Sequence, residues 1–352
     1  MHSRESFSMI SRRRFTQAFA ATLAATSLAG CSSQQAALSP APPPTNDLRS
    51  GSGKNTSLSP VKQIRAGVLS IGYVEFGPAT GPAVVLLHGW PYDPHSYVDV
   101  GPLLEAAGYR VVIPYLRGFG PTTFLSKDTV RNAQQSAVAL DVIALMDALE
   151  IDKAILGGFD WGVRTAGIIG ALWPERAKAL VAVSGYGIND LKANLQPLGP
   201  AAEYGWWYQY YFATQRGVLG YGQNRHDFNK LIWKIVSPNW NFDDATYERT
   251  AASFSNPDHV DIVIHNYRWR MSLAPGEPQY DVYEEKLAMA PAIAVPTITI
   301  GSDFDGATAD GNAYRDKFTG RYEHRIFTGI GHNVPQEAPQ AFAQAVIDVD
   351  HF

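Results

Sequence analysis

The sequence predicts an α/β protein, a doubly wound and mostly parallel sheet covered by helices, with a helical segment inserted in its second half. Three observations lead there. Short apolar runs of strand length recur from about Val61 onward. Stretches of helical periodicity separate them, and such alternation builds βαβ units with parallel neighbours and right-handed crossovers. Between about Gly187 and Pro291 the alternation stops and aromatic residues crowd together.

The strand-like runs are Val68–Phe76, Ala83–His88, Arg110–Tyr115, Ala154–Phe159, Ala179–Ser184, Thr297–Gly301 and Tyr322–Phe327. The clearest helix spans Val130–Leu149, where Val138, Val142, Leu145 and Leu149 share a face and Asp147 opposes them. Asp141 sits at the edge of that stripe, and Gln134 and Gln135 blur its first half. A second helix is expected over Pro335–Asp348, after the last strand. The segment 187–291 holds Trp206, Trp207, Tyr208, Tyr210, Tyr211, Phe212, Trp233, Trp240, Tyr267 and Trp269 but few strand signals, so it reads as a helical cap on the sheet. The core is then 61–186 joined to 292–352. In such a sheet, ligands bind beyond the carboxyl ends of the strands.

Composition narrows the function. The chain has 352 residues, 45% of them hydrophobic, which is enough for a sizeable core and too many for a disordered chain. A net charge of −4 argues against a nucleic-acid binder. One cysteine excludes an internal disulfide framework. Residues 1–30 are set aside as an address: Arg12-Arg13-Arg14 precede an Ala/Leu/Thr-rich run too short to span a bilayer. Paired arginines before such a run resemble a twin-arginine export signal. Leu28-Ala29-Gly30-Cys31 resembles the lipobox of bacterial lipoproteins, which implies cleavage before Cys31 and lipidation of its sulfur. Without the leader's four Arg and one Glu, the remainder carries −7. Residues 31–60 are rich in Ser, Pro, Ala and Gly and read as a flexible tether. The expectation is an exported, periplasmic or cell-envelope lipoprotein, held to the membrane only by its lipid.

The stretch Gly158-Phe159-Asp160-Trp161-Gly162 carries the chemistry. An apolar strand runs into G-x-D-x-G and a helix follows, the pattern of a nucleophile elbow with aspartate where serine usually stands. Glycines leave room for a sharp turn. The turn exposes Asp160 at a helix N-terminus, where amides and the dipole favour an anion. An aspartate of pKa about 3.9 is ionised at neutral pH and needs no base to attack. Its product with an amide or ester substrate would be a labile anhydride, so it suits displacement at a saturated carbon. The alkyl ester formed must then be hydrolysed by water. The backbone N–H groups of Trp90 and Trp161 are placed to form the oxyanion hole for that step. His332, in Gly329-Ile330-Gly331-His332 after the last strand, is the expected base.

Together these residues resemble the α/β-hydrolase superfamily, and within it the aspartate-nucleophile branch of epoxide hydrolases and haloalkane dehalogenases. The resemblance runs from about Val61 to the end and implies a cap inserted after the family's sixth strand. It implies a cis Trp90–Pro91 bond within His88-Gly89-Trp90-Pro91. Tyr115-Leu116-Arg117-Gly118-Phe119-Gly120 looks like the family's Arg-Gly-x-Gly stretch, and no catalytic role falls to it. The third triad member is open: Asp305, whose Asp-Gly context looks like the family's acid position, is preferred over Asp303, with Asp190 a minority choice.

The cap addresses the leaving group. An epoxide oxygen leaves as a strongly basic alkoxide and needs a proton, which a tyrosine of pKa about 10 can supply. Trp207-Tyr208-Gln209-Tyr210-Tyr211-Phe212 resembles the family's Tyr-Gln-x-Tyr-Phe pattern and points to Tyr208; His265-Asn266-Tyr267-Arg268-Trp269 points likewise to Tyr267. His88, Pro91 and Trp207 are expected to line the pocket. The alternatives are a haloalkane or haloacid dehalogenase using the same nucleophile, an ester hydrolase, and a ligand-binding lipoprotein without turnover. Arg164 keeps the haloacid option open, because fluoroacetate-type dehalogenases hold a substrate carboxylate with arginines just after the nucleophile. The expected partner is a small apolar epoxide or halogenated molecule, with no metal or organic cofactor.

Overall fold

The computed structural model describes residues 48–58, 60–304 and 311–352. The export signal, Cys31, most of the tether and Asp305 lie outside the described residues.

Among the described residues nine strands form one sheet. In chain order they are β1 Lys62–Ala66, β2 Leu69–Phe76, β3 Ala83–Leu87, β4 Arg110–Pro114, β5 Thr123–Phe124, β6 Ala154–Gly158, β7 Ala177–Val183, β8 Thr297–Ser302 and β9 Tyr322–Phe327. They lie in the order β1-β2-β4-β3-β6-β7-β8-β9, with β5 beside β2. From β4 to β9 every pairing is parallel, while β1, β2 and β5 form an antiparallel edge. The central strands β3, β6 and β7 are buried almost throughout. Covered on both faces, they read as continuous apolar runs rather than alternating ones.

The core helices are α1 Val100–Ala106, α2 Gln135–Ala148, α3 Trp161–Leu172, α10 Val334–Glu337 and α11 Pro339–Asp350. The sequence reading placed two of these boundaries wrongly. It started α2 at Val130, but Gln134 is extended (φ −63°, ψ 149°) and the helix begins only at Gln135. The glutamines that blurred the apolar stripe have their own partners: Gln134 Oε1 accepts from Glu277 N (2.6 Å), and Gln135 Nε2 donates to Asn189 O (3.2 Å) and Glu284 (3.1 Å). The expected helix over Pro335–Asp348 is broken at Ala338, whose ψ of 58° leaves the helical region. Pro339 follows it and disfavours a helical predecessor.

Between β7 and β8 lie six further helices: α4 Pro200–Gly205, α5 Tyr208–Ala213, α6 Gln215–Val236, α7 Asp244–Ala251, α8 His259–Arg270 and α9 Asp281–Leu287. This is the helical cap, following the sixth full-length strand once the two-residue β5 is set aside. Its aromatic residues pack on one another and on the core. Trp90 contacts Tyr208, Phe212, Tyr221 and Tyr267 at ring separations of 5.1, 5.8, 6.2 and 5.2 Å. Among the described residues no helix is long and apolar enough to cross a membrane.

Candidate active site

The site forms at the carboxyl end of β6, beside β3. Asp160 sits between β6 and α3 with φ 52° and ψ −117°. A non-glycine residue held there is strained, and such strain persists only where the surroundings enforce it. Two glycines show how. A Cβ on Gly162 would lie 1.8 Å from Leu87 O, so only glycine lets α3 approach β3. A Cβ on Gly89 would lie 2.3 Å from the Asp160 Cβ, so this glycine gives the aspartate its room.

Trp90 N donates to Asp160 Oδ1 at 2.8 Å. The Trp161 amide is the next along the chain, at the first turn of α3. The Trp90–Pro91 bond is cis. The loop after β9 brings His332 to Asp160, with Nε2 3.8 Å from Oδ2. That gap is too long for a direct hydrogen bond and suits a bridging water. Phe159, Tyr92 and Phe304 pack around the imidazole at ring separations of 5.7, 5.8 and 5.4 Å.

The His332 loop is fastened by residues the sequence reading missed. His332 N donates to Ser237 Oγ (3.0 Å), Ser237 Oγ donates to Glu337 (2.7 Å), and Gly331 N donates to Glu337 (2.9 Å). Glu337 is wholly buried. Burial holds its pKa above the ordinary carboxylate value, against the pull of Gly331 N, Ser237, Arg49 and His332. No local motif announces a lone carboxylate on a short helix.

Of the acid alternatives, Asp303 is exposed and accepts from Gly329 N (2.9 Å), bracing the loop of His332. Asp190 Oδ1 accepts from Lys192 N (2.8 Å) and Ala193 N (3.1 Å), an ordinary turn arrangement.

A cavity of about 380 Å³ opens beside Asp160 and His332, walled by Val163, Arg164, Tyr186, Ile188, Asn189, Asp190, Trp206, Tyr208, Gln209, Arg270 and Phe304 among others. Tyr208 thus lines it. Tyr267 lies behind, fully buried, its ring meeting that of Tyr208 edge-on at 5.3 Å. Burial and the neighbouring Tyr208 and Asp160 push the Tyr267 phenol well above its usual pKa, so it stays protonated. The Trp161 indole N–H is near enough to act on it, yet the two form no hydrogen bond of ordinary geometry, and both groups are left without a partner.

The three residues expected to line the pocket do other things. His88 is fully buried, accepts from Leu116 N (3.1 Å) and has its pKa pushed down to about 4 by burial, so it is a neutral structural histidine. Pro91 O accepts from Trp233 Nε1 (2.8 Å). Trp207 packs on Tyr211 and Phe228. All three stand in or next to motifs, but their side chains serve packing around the cavity rather than its surface. Arg117 of the Arg-Gly-x-Gly stretch is likewise structural, paired with Asp141 at 2.6 and 2.8 Å. Arg270 went unnoticed in the sequence, although it lies three residues beyond Tyr267 and so on the same helix face. Among the described residues no cluster of His, Cys, Asp or Glu suits a metal ion.

Comparison with known proteins agrees with this architecture. A family model described as the alpha/beta hydrolase fold matches residues 82–219. Epoxide hydrolase B of Mycobacterium tuberculosis is 34% identical over 155 residues, covering 40% of this chain and 42% of that protein. Epoxide hydrolase 2 of Siraitia grosvenorii is 38% identical over 131 residues, covering 37% of this chain and 38% of that one. The chain therefore matches less than half the length of these curated relatives. A crystal structure from Klebsiella pneumoniae, of a candidate epoxide hydrolase, is 56% identical with a TM-score of 0.81, covering 83% of this chain and 97% of that one. Likeness of that extent, on this sheet and this elbow, means that the chain belongs to the α/β-hydrolase family, among relatives of the epoxide hydrolases.

Proposed function

We propose that this chain opens epoxides to vicinal diols through a covalent ester on Asp160. The observation that carries the reading is the strained turn that holds the Asp160 carboxylate against Trp90 N, with His332 one water's width away. An Asp160 oxygen attacks the less hindered ring carbon and the carbon–oxygen bond breaks. The alkoxide takes a proton from Tyr208, with Tyr267 behind it. His332 then removes a proton from water as its oxygen attacks the ester carbonyl. The Trp90 and Trp161 amides hold the oxyanion. Collapse expels the diol as its alkoxide, which takes a proton from the imidazolium, and the Asp160 carboxyl proton returns to the tyrosinate. The acid that orients His332 is assigned to Asp305. Export and attachment through Cys31 belong to the same proposal.

Mass spectrometry of His332→Gln tests it. With deacylation blocked, the peptide holding Asp160 should retain the substrate mass after incubation with an epoxide that wild type converts. An unmodified peptide contradicts the covalent scheme. Carbon–halogen hydrolysis by the same nucleophile is separated by Tyr208→Phe with Tyr267→Phe: diol formation collapses, whereas halide release survives.

A further inference from the structure

A segment ahead of β1 reaches the back of the loop that carries His332. Residues 31–60 read as a tether by composition, yet residues 48–55 of that stretch are fastened to the core. Leu48 is buried and joins the hydrophobic cluster. Arg49 Nη2 donates to Gly329 O and pairs with Glu337 at 3.3 Å. Ser52 Oγ donates to Gln336 O at 2.7 Å. Gly53 N and Asn55 N each donate to Asp99 at 2.8 Å, and Asn55 Nδ2 donates to it at 2.9 Å. Asp99 directly precedes α1 but makes no side-chain cap for it, so its carboxylate serves this strap instead. A Cβ on Gly51, which has φ +81°, would lie 1.9 Å from Gln340 Nε2, so the strap turns tightly against α11.

Arg49 touches the histidine loop at both of its fastenings. It holds the Gly329 carbonyl directly, while the Gly329 N–H is held by Asp303 at 2.9 Å. It holds Gly331 and His332 through the buried Glu337, which accepts from Gly331 N and from the Ser237 hydroxyl that in turn takes His332 N. A buried carboxylate is costly without a counter-charge, and hydrogen bonds to a charged group are the stronger ones. Arg49 supplies that counter-charge from a side chain that is 32% exposed. An ion pair open to water on one side adds little stability by itself. Its importance lies in what it holds still.

We propose that Arg49 is a positioning residue for His332: the strap 48–55 clamps the histidine loop from behind, so that the imidazole keeps its place one water away from Asp160. The proposal rests on the reading of His332 as the base that hydrolyses the ester, and adds to it a residue that lies before the first strand. Its effect falls on one step. Asp160 attacks the epoxide without help from His332, so a loosened loop leaves ester formation alone and slows ester hydrolysis. A misplacement of about 1 Å at a reacting group costs up to about 100-fold in rate, so a small shift of the loop is enough.

The test uses the full chain with Arg49→Met, which keeps the stem, and Arg49→Lys, which restores the charge. Styrene oxide is the probe. Rapid-quench mass spectrometry of the Asp160 peptide separates ester formation from ester decay, and hydrogen exchange reads the amides of 329–333 with no substrate present. Arg49→Met should speed that exchange and slow ester decay, each by about 10-fold. Ester formation should stay within about twofold of wild type, so kcat and KM fall together. Arg49→Lys should recover most of both losses. Adding Arg49→Met to Glu337→Gln should slow decay no further than Glu337→Gln alone, because the two act as one unit. Ser52→Ala, which frees the strap from Gln336 O, should move both readouts the same way by about twofold and stays informative if Arg49→Met misfolds. Unchanged exchange, unchanged decay, or formation slowed as much as decay overturns the clamp. Diol formed with no mass on the Asp160 peptide overturns the covalent reading; the clamp then stands if Arg49→Met slows diol formation and Arg49→Lys restores it, and falls otherwise. No ester and no diol from styrene oxide, cyclohexene oxide or 1,2-epoxyhexane overturns the epoxide reading, and faster exchange rescued by lysine upholds the clamp where unchanged exchange overturns it.

Discussion

Replacing Tyr267 with Phe should make the protein more stable and slower. The hydroxyl is fully buried and has no hydrogen-bond partner. Leaving such a group desolvated and unpaired costs about 1–3 kcal/mol, and phenylalanine keeps the ring that packs on Trp90, Tyr208 and Phe212 at 5.2, 5.3 and 5.5 Å. At this chain length each kcal/mol moves the melting temperature by about 2 °C, so calorimetry should show a rise of about 2–6 °C. A general acid contributes about 10²–10⁴-fold, and with Tyr208 still present the loss in diol formation should sit near the lower bound. Two assays on one preparation decide the matter. If Tyr267→Phe melts lower than wild type, the hydroxyl is structurally bonded. If its turnover is unchanged, the hydroxyl has no part in protonating the alkoxide. Either result refutes the reasoning; the expected pair is the signature of a polar group retained for activity at a cost in stability.

Other consequences are as direct. Gly162→Ala forces a Cβ against Leu87 O at 1.8 Å and should cost about 1–3 kcal/mol while shifting Asp160 enough to lower turnover; a wild-type melting point and rate would contradict the steric account. Asp141→Asn strips the buried Arg117 of its charge partner and should cost about 3–5 kcal/mol, measurable by urea titration, whereas Arg117→Met with Asp141→Leu should regain most of it. Burial raises the Glu337 pKa, so the folded state keeps that proton to higher pH than the unfolded state does. Its contribution to stability is therefore greatest below the ordinary carboxylate value and falls as pH rises through the raised one. Melting curves from pH 4 to 8 should separate Glu337→Gln from wild type by an amount that varies with pH, and parallel curves would count against a titrating Glu337.

What could be read from the sequence depended on how local its cause is. The elbow is legible because a sharp strand-to-helix turn makes steric demands within five residues, Gly158 to Gly162. The central strands are legible because burial on both faces leaves uninterrupted apolar runs. β1 was not: Lys-Gln-Ile-Arg-Ala is mostly exposed and becomes a strand by pairing with β2. The start of α2 was missed because Gln134 and Gln135 answer to Asn189, Glu277 and Glu284, far away in the chain. Ser237 and Glu337 behind His332, and Arg270 across from Arg164, escaped for the same reason. Each acquires meaning only from a neighbour that folding supplies.

The tie between the cap and the first turn of α2 has a further consequence. Asn189, where the insertion leaves the sheet, and Glu277 and Glu284, where it returns, all fasten to Gln134, Gln135 and Ser136. Departure and return are thus clamped at one spot, while Ser237 and Trp233 tie the middle of the insertion to the His332 loop and to Pro91. A related enzyme's insertion, grafted between those fixed points with the glutamines, Trp233 and Ser237 kept, would bring a new specificity to the same nucleophile.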